Sequence, residues 1–461
     1  MNEKKIESDL VNIEPSFDKE IKKFIKHIES QADIMPLVMN LISTKLVQES
    51  KHVDKFIKEN NFEEKVNGEL NSEIEESGLE TKEEDEKTIK LLIPTEKFDE
   101  FIKINEDMSA TSLAHELLPV NFIVSFVSQY DAYLGGLIKT IFYVKPDMLN
   151  NSEKNLQFSE LLTFKSIEEA KEFVIEKEVE SVLRESHLKQ FKWLESKLNM
   201  TLRKDLPSFN DFIEITERRN LFVHCNGVVS RQYLDTCKEH NIPGIDKIEL
   251  GQQLKANPGY FTKCYSVLFE IGVKLGQVLW RKLQPSEIEE ADAHLNNVCY
   301  QLLIKGHYKL ALNLLSFATE TLKKHCNQEM VCIFTINKSL AYYLSGKKQD
   351  AKRILDEHDW SATNDKFKLA NAILIEEFGD AIDIMKSIGN SNKHINKSAY
   401  REWPLFNEFR KRDDFKLAYQ AIFKEEMVFI EKKPKDLEDI LLELRNSKEQ
   451  AEKEKTAANN V

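Results

Sequence analysis

The sequence predicts an all-α protein, and three observations lead to that prediction. The chain has 461 residues, of which 41% are hydrophobic and 31% charged, a composition typical of a soluble globular protein. Only 14 glycines and 11 prolines interrupt it, and so few breakers favour long helices over many short strands. Apolar residues recur at three- and four-residue spacing through most of the chain, which is the period of an amphipathic helix.

Residues 1–60 are predicted to be an N-terminal helical segment of two or three amphipathic helices, because residues such as Phe17 and Ile21 lie at helical spacing. Residues 61–90 are predicted to be a flexible acidic linker. Within them, residues 61–87 hold eleven acidic residues and three lysines, a net charge of −8 out of −13 for the whole chain. The linker is either a solvated tether or a mimic of nucleic acid that shields a basic cleft.

Five further segments are predicted around the centre of the chain. Residues 121–144 form a strong helix, and residues 150–165 an irregular connection. Residues 167–198 form one or two helices rich in Glu and Lys. Residues 231–257 contain proline–glycine turn signals and are expected to be irregular, and residues 260–283 form a closing helix.

The stretch 208–226 is predicted to be the helix around which the chain is organised. Ser208 is its expected N-cap, and apolar residues follow at helical spacing. Asn226 and Gly227 end the helix, and Gly227 is expected in the left-handed conformation that glycine adopts readily. This helix therefore carries an apolar stripe and, near its C-terminal end, a polar group.

Arg219, Asn220 and His224 form that polar group. Asn220 and His224 are four residues apart and share one helical face, where the amide can hold the imidazole in one orientation. Arg219 lies one position around and reaches the same place. A histidine gives or takes a proton near neutral pH, and an arginine offers a planar fork of donors to a phosphate. The group suits metal-independent phosphodiester cleavage; the alternative is a surface or capping feature.

Asp131 lies on the edge of the apolar stripe of the helix at residues 121–144. A carboxylate in that position costs desolvation free energy unless it is paired. Arg219 or Arg218 is the expected partner, and the alternative is that Asp131 faces solvent at the flank of the bundle.

Zinc is a second possibility near the same helix, because His224, Cys225, Cys237 and His240 are residue types that zinc sites use. Their spacing fits no standard finger, and adjacent His and Cys ligands are awkward on one helix, so no metal and no cofactor are predicted. The six cysteines form no CxxC pair and are expected to be reduced. No signal-peptide core and no stretch approaching a membrane span are expected, which predicts a cytoplasmic protein without a membrane partner.

The run RNLFVHCNGVV at residues 219–229, followed by Tyr233-Leu234, resembles the arginine-x4-histidine motif of the HEPN ribonuclease superfamily and its continuation in HEPN proteins of bacterial defence islands. The resemblance covers residues 108–285. It implies a HEPN-like antiparallel helical bundle that pairs as a homodimer and brings two motifs into one cleft. It also implies that the first long helix brings an acidic or polar residue, here Asp131, toward the site.

By the same resemblance, the protein is a metal-independent endoribonuclease with a toxin or anti-phage role and an RNA substrate. His224 would be general acid or base, Arg219 would bind the phosphate and Asn220 would fix the imidazole, with Asp131 and Arg218 in support. Two alternatives remain: a catalytically inactive HEPN dimer that acts as a scaffold or sensor, and a HEPN partner of a nucleotidyltransferase.

Residues 291–425 are predicted to contain helical-hairpin repeats. Gly306-His307-Tyr308-x-x-Ala311 and Gly346-Lys347-Lys348-x-x-Ala351 are forty residues apart, and Gly379-Asp380-Ala381 echoes them weakly. This pattern resembles divergent tetratricopeptide repeats, whose concave surface would bind a peptide or partner protein. Residues 432–461 are predicted to be a charged C-terminal helix or tail.

Overall fold

The structure, a computed structural model, describes residues 15–60, 93–151, 156–204, 206–392 and 395–427. It confirms the all-α fold: throughout these ranges the regular structure is helical, apart from one isolated antiparallel bridge between Val228 and Gln253. The predicted acidic linker at 61–90 and the predicted tail at 432–461 lie outside the described residues.

The α-helices, numbered in chain order, are α1 Phe17–Glu59, α2 Thr95–Val144, α3 Phe158–Leu161, α4 Ile167–Leu183, α5 His187–Leu198, α6 Phe209–His224, α7 Arg231–Glu239, α8 Pro258–Leu283, α9 Ile288–Ile304, α10 Tyr308–Ser316, α11 Gln328–Leu344, α12 Lys348–Asp356, α13 Asp365–Leu374, α14 Phe378–Ile388, α15 Lys397–Glu402 and α16 Asp413–Phe423. A π-helical turn, Phe317–Thr321, follows α10. Short 3₁₀ turns lie at Pro146–Asn151, Ile245–Lys247, Pro285–Glu287, Pro404–Phe406 and Phe409–Lys411.

Two compact units divide the chain, and each is described by itself. The motif unit comprises Lys23–Tyr133 and Ser208–Phe269, and the hairpin unit comprises Met1–Lys22, Leu134–Pro207 and Glu270–Val461. The domain boundaries expected from the sequence, at 108–285 and 291–425, stay predictions.

The long helices α1 and α2 pair in the motif unit. Near the start of α1, the ring of Phe24 stacks on that of Tyr133, with centroids 4.5 Å apart. Near its end, the ring of Phe56 stacks 6.0 Å from that of Phe101. Residue numbers fall along α2 as they rise along α1, so the two helices are antiparallel.

This pairing explains two corrections to the sequence interpretation. The N-terminal segment contains one described helix instead of two or three, and α1 continues through Pro36. Likewise, α2 begins at Thr95 instead of residue 121 and continues through Pro119. A proline removes one backbone hydrogen bond from a helix interior, but packing along a neighbouring helix supplies most of the stability of helices in proteins.

Aromatic side chains place α6 and α8 against α2. The ring of Tyr130 lies 4.9 Å from that of Phe212 on α6, and the ring of Phe126 lies 5.1 Å from that of Phe261 on α8. All four side chains are buried. The helix that carries the predicted catalytic residues is therefore fixed by the core of the motif unit.

A short helix, α7, lies in the segment that was expected to be irregular. The side chain of Ser230 caps it by accepting a hydrogen bond from the backbone N–H of Tyr233. Tyr233 and Cys237, four residues apart, are both buried in a small apolar cluster with Leu221 of α6. Burial of this one face stabilises α7, although the turn signals near it in the sequence predicted an irregular segment.

Three helical hairpins, α9–α10, α11–α12 and α13–α14, pack in the hairpin unit. The turns of all three contain a left-handed residue, which is Gly306 (φ 78°), Gly346 (φ 81°) or Glu376 (φ 64°). In each turn the next backbone N–H donates to a carbonyl five residues earlier, as His307 does to Leu302. The same backbone turn therefore occurs three times.

The third turn differs from the sequence expectation. Buried Ala311, Ala351 and Ala381 each follow their left-handed residue by five positions. The residue of the third hairpin that corresponds to Gly346 is thus Glu376 and not Gly379, and the spacing shortens from forty to thirty residues. A glutamate in a left-handed conformation is uncommon, which is why the sequence pattern misplaced this turn.

A buried polar network surrounds Asp292 of α9, the first helix of the first hairpin. The side chain of Asp292 is 0% exposed. Its Oδ1 accepts hydrogen bonds from Arg281 Nη2 (2.7 Å) and His325 Nδ1 (2.8 Å), and its Oδ2 accepts one from the backbone N–H of Cys326 (2.8 Å). Burial raises the pKa of Asp292, but these hydrogen bonds outweigh burial and lower the pKa to about 2.

Asp292→Asn is expected to remove part of the acid sensitivity of the fold. Because the folded pKa is lowered, the carboxylate contributes its full stability above the unfolded pKa of about 4 and loses it as the pH falls toward 2. The contribution is about 2 kcal/mol. Urea unfolding between pH 2 and pH 6 measures it, with exposed Asp383→Asn as the control. An equal pH dependence in the two variants would contradict this account.

Among the residues that the structure describes, one helix, α2, is long and apolar enough to cross a membrane, by length and composition only. This test allows up to two charged residues in its 18-residue window, so the expectation that no stretch approaches eighteen uncharged apolar residues stays a prediction. A core helix of a soluble protein passes the same test, so the absence of a membrane partner and the cytoplasmic location stay predictions.

Candidate functional site

Helix α6 carries the predicted catalytic residues on its last two turns. Its buried side includes Phe212, Ile213 and Thr216, which fix the helix against the core. Ser208 occupies the N-cap position, but its backbone is already in the helical region (φ −76°, ψ −3°) and its side chain makes no capping hydrogen bond. The predicted cap is therefore correct in position and wrong in its bonding, since an N-cap residue usually has extended backbone angles.

The end of α6 follows the prediction closely. Asn226 (φ 48°) and Gly227 (φ 79°) are both left-handed. The N–H of Gly227 donates to the carbonyl of Leu221 (3.0 Å), and the N–H of Leu254 donates to the carbonyl of Gly227 (2.9 Å). The loop after His224 is thus held by a second segment of the motif unit.

Gly227→Ala is expected to destabilise the protein by about 2 kcal/mol or more, because it adds backbone strain and a clash. A Cβ at this position would lie 2.8 Å from the carbonyl oxygen of Leu254. Gly251→Ala is a matched control, since Gly251 is also left-handed (φ 86°) but has no heavy atom within 4 Å of the added Cβ. Chemical unfolding compares the two; an equal loss would mean that the clash contributes nothing.

Asp131 pairs with Arg219, one of its two predicted partners. Arg219 Nη2 donates to Asp131 Oδ2 across 2.9 Å, and the two side chains are 19% and 28% exposed. The pair joins α2 to the end of α6. Partial burial makes this pair less screened by solvent than a surface pair, so it holds the guanidinium in place at the edge of the unit.

Arg218 belongs to a different cluster, which sequence reasoning missed. Its Nε lies 2.7 Å from Glu214 Oε1, and its guanidinium lies 4.0 Å from the centre of the Tyr260 ring. Glu214 is 2% exposed, and it accepts hydrogen bonds from the hydroxyls of Tyr233 (2.9 Å) and Tyr260 (3.1 Å). Only the four-residue spacing of Glu214 and Arg218 could have suggested the pair from sequence.

The tyrosines of this cluster remain hydrogen-bond donors. Burial, and then the nearby charge of Glu214, raise the pKa of both Tyr233 and Tyr260. Both hydroxyls are therefore protonated at neutral pH and stabilise the buried carboxylate. The cluster connects α6, α7 and α8, so Arg218 has a structural role that does not depend on a substrate.

His224 is exposed at the end of α6, and Asn220 is half-buried one turn earlier. Within the described part of the chain, no hydrogen bond joins Asn220 to His224, so the expected orientation of the imidazole by the amide is not seen. Val223 and Val228, on either side of His224, are 48% and 40% exposed. His224 is therefore accessible, and two exposed valines lie within four residues of it in the chain.

The candidate zinc ligands do not form a metal site. Cys225 is exposed, whereas Cys237 is fully buried in an apolar cluster. Burial, followed by the charge of Glu214, raises the pKa of Cys237 to about 12, which opposes the thiolate that zinc requires. In the ranges that the structure describes, no three His, Cys, Asp or Glu side chains form a group that could hold a metal ion.

Comparisons with known proteins gave no match to this chain among family models, curated proteins or solved structures. The HEPN and tetratricopeptide resemblances therefore stay predictions that rest on the motifs quoted above.

Proposed function

We propose that the motif unit is a metal-independent endoribonuclease of HEPN type. The observation that supports this most is the arrangement at the end of α6: exposed His224 lies five residues after Arg219, whose guanidinium is held by Asp131. An accessible imidazole and a positioned arginine at the end of one helix offer proton transfer and charge stabilisation, two requirements of phosphodiester cleavage without a metal.

In the proposed reaction, the RNA 2′-hydroxyl attacks the adjacent phosphorus and loses its proton to a base. The bond to the 5′-oxygen breaks, and that oxygen takes a proton from an acid. The products are a 2′,3′-cyclic phosphate and a 5′-hydroxyl. His224 acts as acid or base and Arg219 binds the phosphate oxygens. Asp131 occupies one terminal nitrogen of Arg219, which leaves the other for the phosphate.

We propose a homodimer for the complete site, because the reaction needs two proton transfers and each chain offers one His224. Exposed Val223 and Val228 beside His224 provide apolar surface for such a contact. A toxin or anti-phage role is the biological setting that the resemblance favours. The three hairpins, with their repeated turn and buried alanines, support tetratricopeptide-like repeats that bind a peptide or partner protein.

Incubation of the purified full-length protein with tRNA and with total RNA in EDTA tests the proposal. Cleavage in the chelator with 2′,3′-cyclic phosphate ends is the expected result. Cleavage that requires a divalent metal, or that leaves 3′-hydroxyl ends, would contradict the mechanism.

The rival function is an inactive HEPN dimer that acts as a scaffold or sensor. The missing hydrogen bond between Asn220 and His224 favours this rival, since nothing described orients the imidazole. Expression separates the two: an active toxin is expected to accumulate poorly as wild type and well as His224→Ala, whereas a scaffold accumulates equally in both forms.

A further inference from the structure

A cavity of about 90 Å³ lies in the hairpin unit. Its inner wall is formed by Phe191 of α5, Leu275 of α8 and Phe317, which are 1%, 4% and 5% exposed. Exposed Thr201 and Thr321 also line it. One water needs about 10–15 Å³ of such space, so the cavity holds roughly six to nine non-hydrogen atoms. It is large enough for a small organic molecule.

A nearly buried cation lines this apolar space. Lys274 is 11% exposed, and its Nζ lies 2.6 Å from Oε1 of Glu270, which is 6% exposed. Oε2 of Glu270 accepts a hydrogen bond from Asn313 Nδ2 (2.7 Å). An ammonium group has three N–H donors, and Glu270 engages one of them. An oxygen acceptor inside the cavity would satisfy another.

The backbone around the cavity is unusual. Helix α10 continues into the π-helical turn Phe317–Thr321, and both Phe317 and Thr321 line the cavity. The ring of Phe317 lies 5.7 Å from Lys274 Nζ. Single π-helical turns are rare and occur frequently at functional sites, so the wall of this cavity departs from regular helix where a ligand would contact it.

The charges of Lys274 and Glu270 favour a neutral ligand over an anion. Lys274 and Glu270 neutralise each other, and an anion placed near Lys274 would also be close to the Glu270 carboxylate in a region of low dielectric. A neutral oxygen accepts a hydrogen bond without that repulsion. We propose that this cavity binds a small neutral molecule with an apolar body and a carbonyl or hydroxyl oxygen that accepts a hydrogen bond from Lys274.

Cyclohexanone and the anion cyclohexanecarboxylate are suitable probes for full-length protein. Saturation-transfer NMR detects binding, and the rise in Tm with ligand concentration measures affinity. Saturable binding of the ketone, with the carboxylate at least about tenfold weaker because of Glu270, is the expected result. Failure of the ketone to saturate, or tighter binding of the carboxylate, would overturn the proposal.

Two variants locate the binding. Val278→Phe fills the cavity and is expected to abolish ketone binding. The double variant Glu270→Gln with Lys274→Met removes both charges, keeps the acceptor for Asn313, and is expected to weaken ketone binding about fivefold through loss of one hydrogen bond. Wild-type affinity in folded Val278→Phe would refute the location. If Val278→Phe does not fold, unchanged ketone affinity in the double variant would refute the role of Lys274.

Discussion

His224→Ala is expected to lower the rate of RNA cleavage by at least about 100-fold, the smaller end of what a general acid or base contributes. His224 is exposed at the end of α6, so its truncation leaves no buried cavity and the free energy of unfolding should not change. Initial cleavage rates on tRNA in EDTA measure the first effect, and urea unfolding followed by circular dichroism measures the second.

His52→Ala is the matched control for this prediction. His52 is an exposed histidine on α1 in the same unit, and its removal should leave both the cleavage rate and the stability unchanged. A wild-type rate in His224→Ala would end the catalytic assignment of His224. An equal loss of rate in both histidine variants would point to a general effect on the protein instead of a specific one.

The sequence predicted those features of the site that depend on local chemistry. Gly227 is left-handed because the chain needs that conformation to end α6, and a glycine after a helix predicts it. The pair between Asp131 and Arg219 was expected because a carboxylate at the edge of an apolar stripe needs a cation. Both conclusions depend on a few neighbouring residues and one known cost of desolvation.

Features that depend on tertiary packing could not be predicted from the sequence. Tyr233 and Tyr260 reach Glu214 only because α7 and α8 pack on α6, and no spacing in the sequence reveals that. The continuity of α1 through Pro36 similarly follows from its long contact with α2. The folded structure was also needed to show that His224 is exposed and that no described hydrogen bond joins it to Asn220.

Arg218→Met and Arg219→Met are expected to separate stability from chemistry at adjacent positions. Arg218→Met leaves Glu214 charged and buried without its cation, and the loss of one partner from a buried pair costs about 3–5 kcal/mol. Arg219→Met breaks a pair whose side chains are 19% and 28% exposed, so the Asp131 carboxylate keeps partial access to water and the cost is smaller, about 1–2 kcal/mol. Urea unfolding of the full-length variants measures the difference.

Cleavage rates should follow the opposite order. Arg219→Met removes the guanidinium that binds the phosphate, so its rate falls although the protein stays folded, whereas Arg218→Met retains that guanidinium under conditions where it is still folded. The double variant Glu214→Gln with Arg218→Met should recover part of the lost stability, because no lone charge then remains buried. If Arg219→Met were the less stable variant, or if the double variant were less stable than Arg218→Met, the division between a structural and a chemical arginine would be wrong.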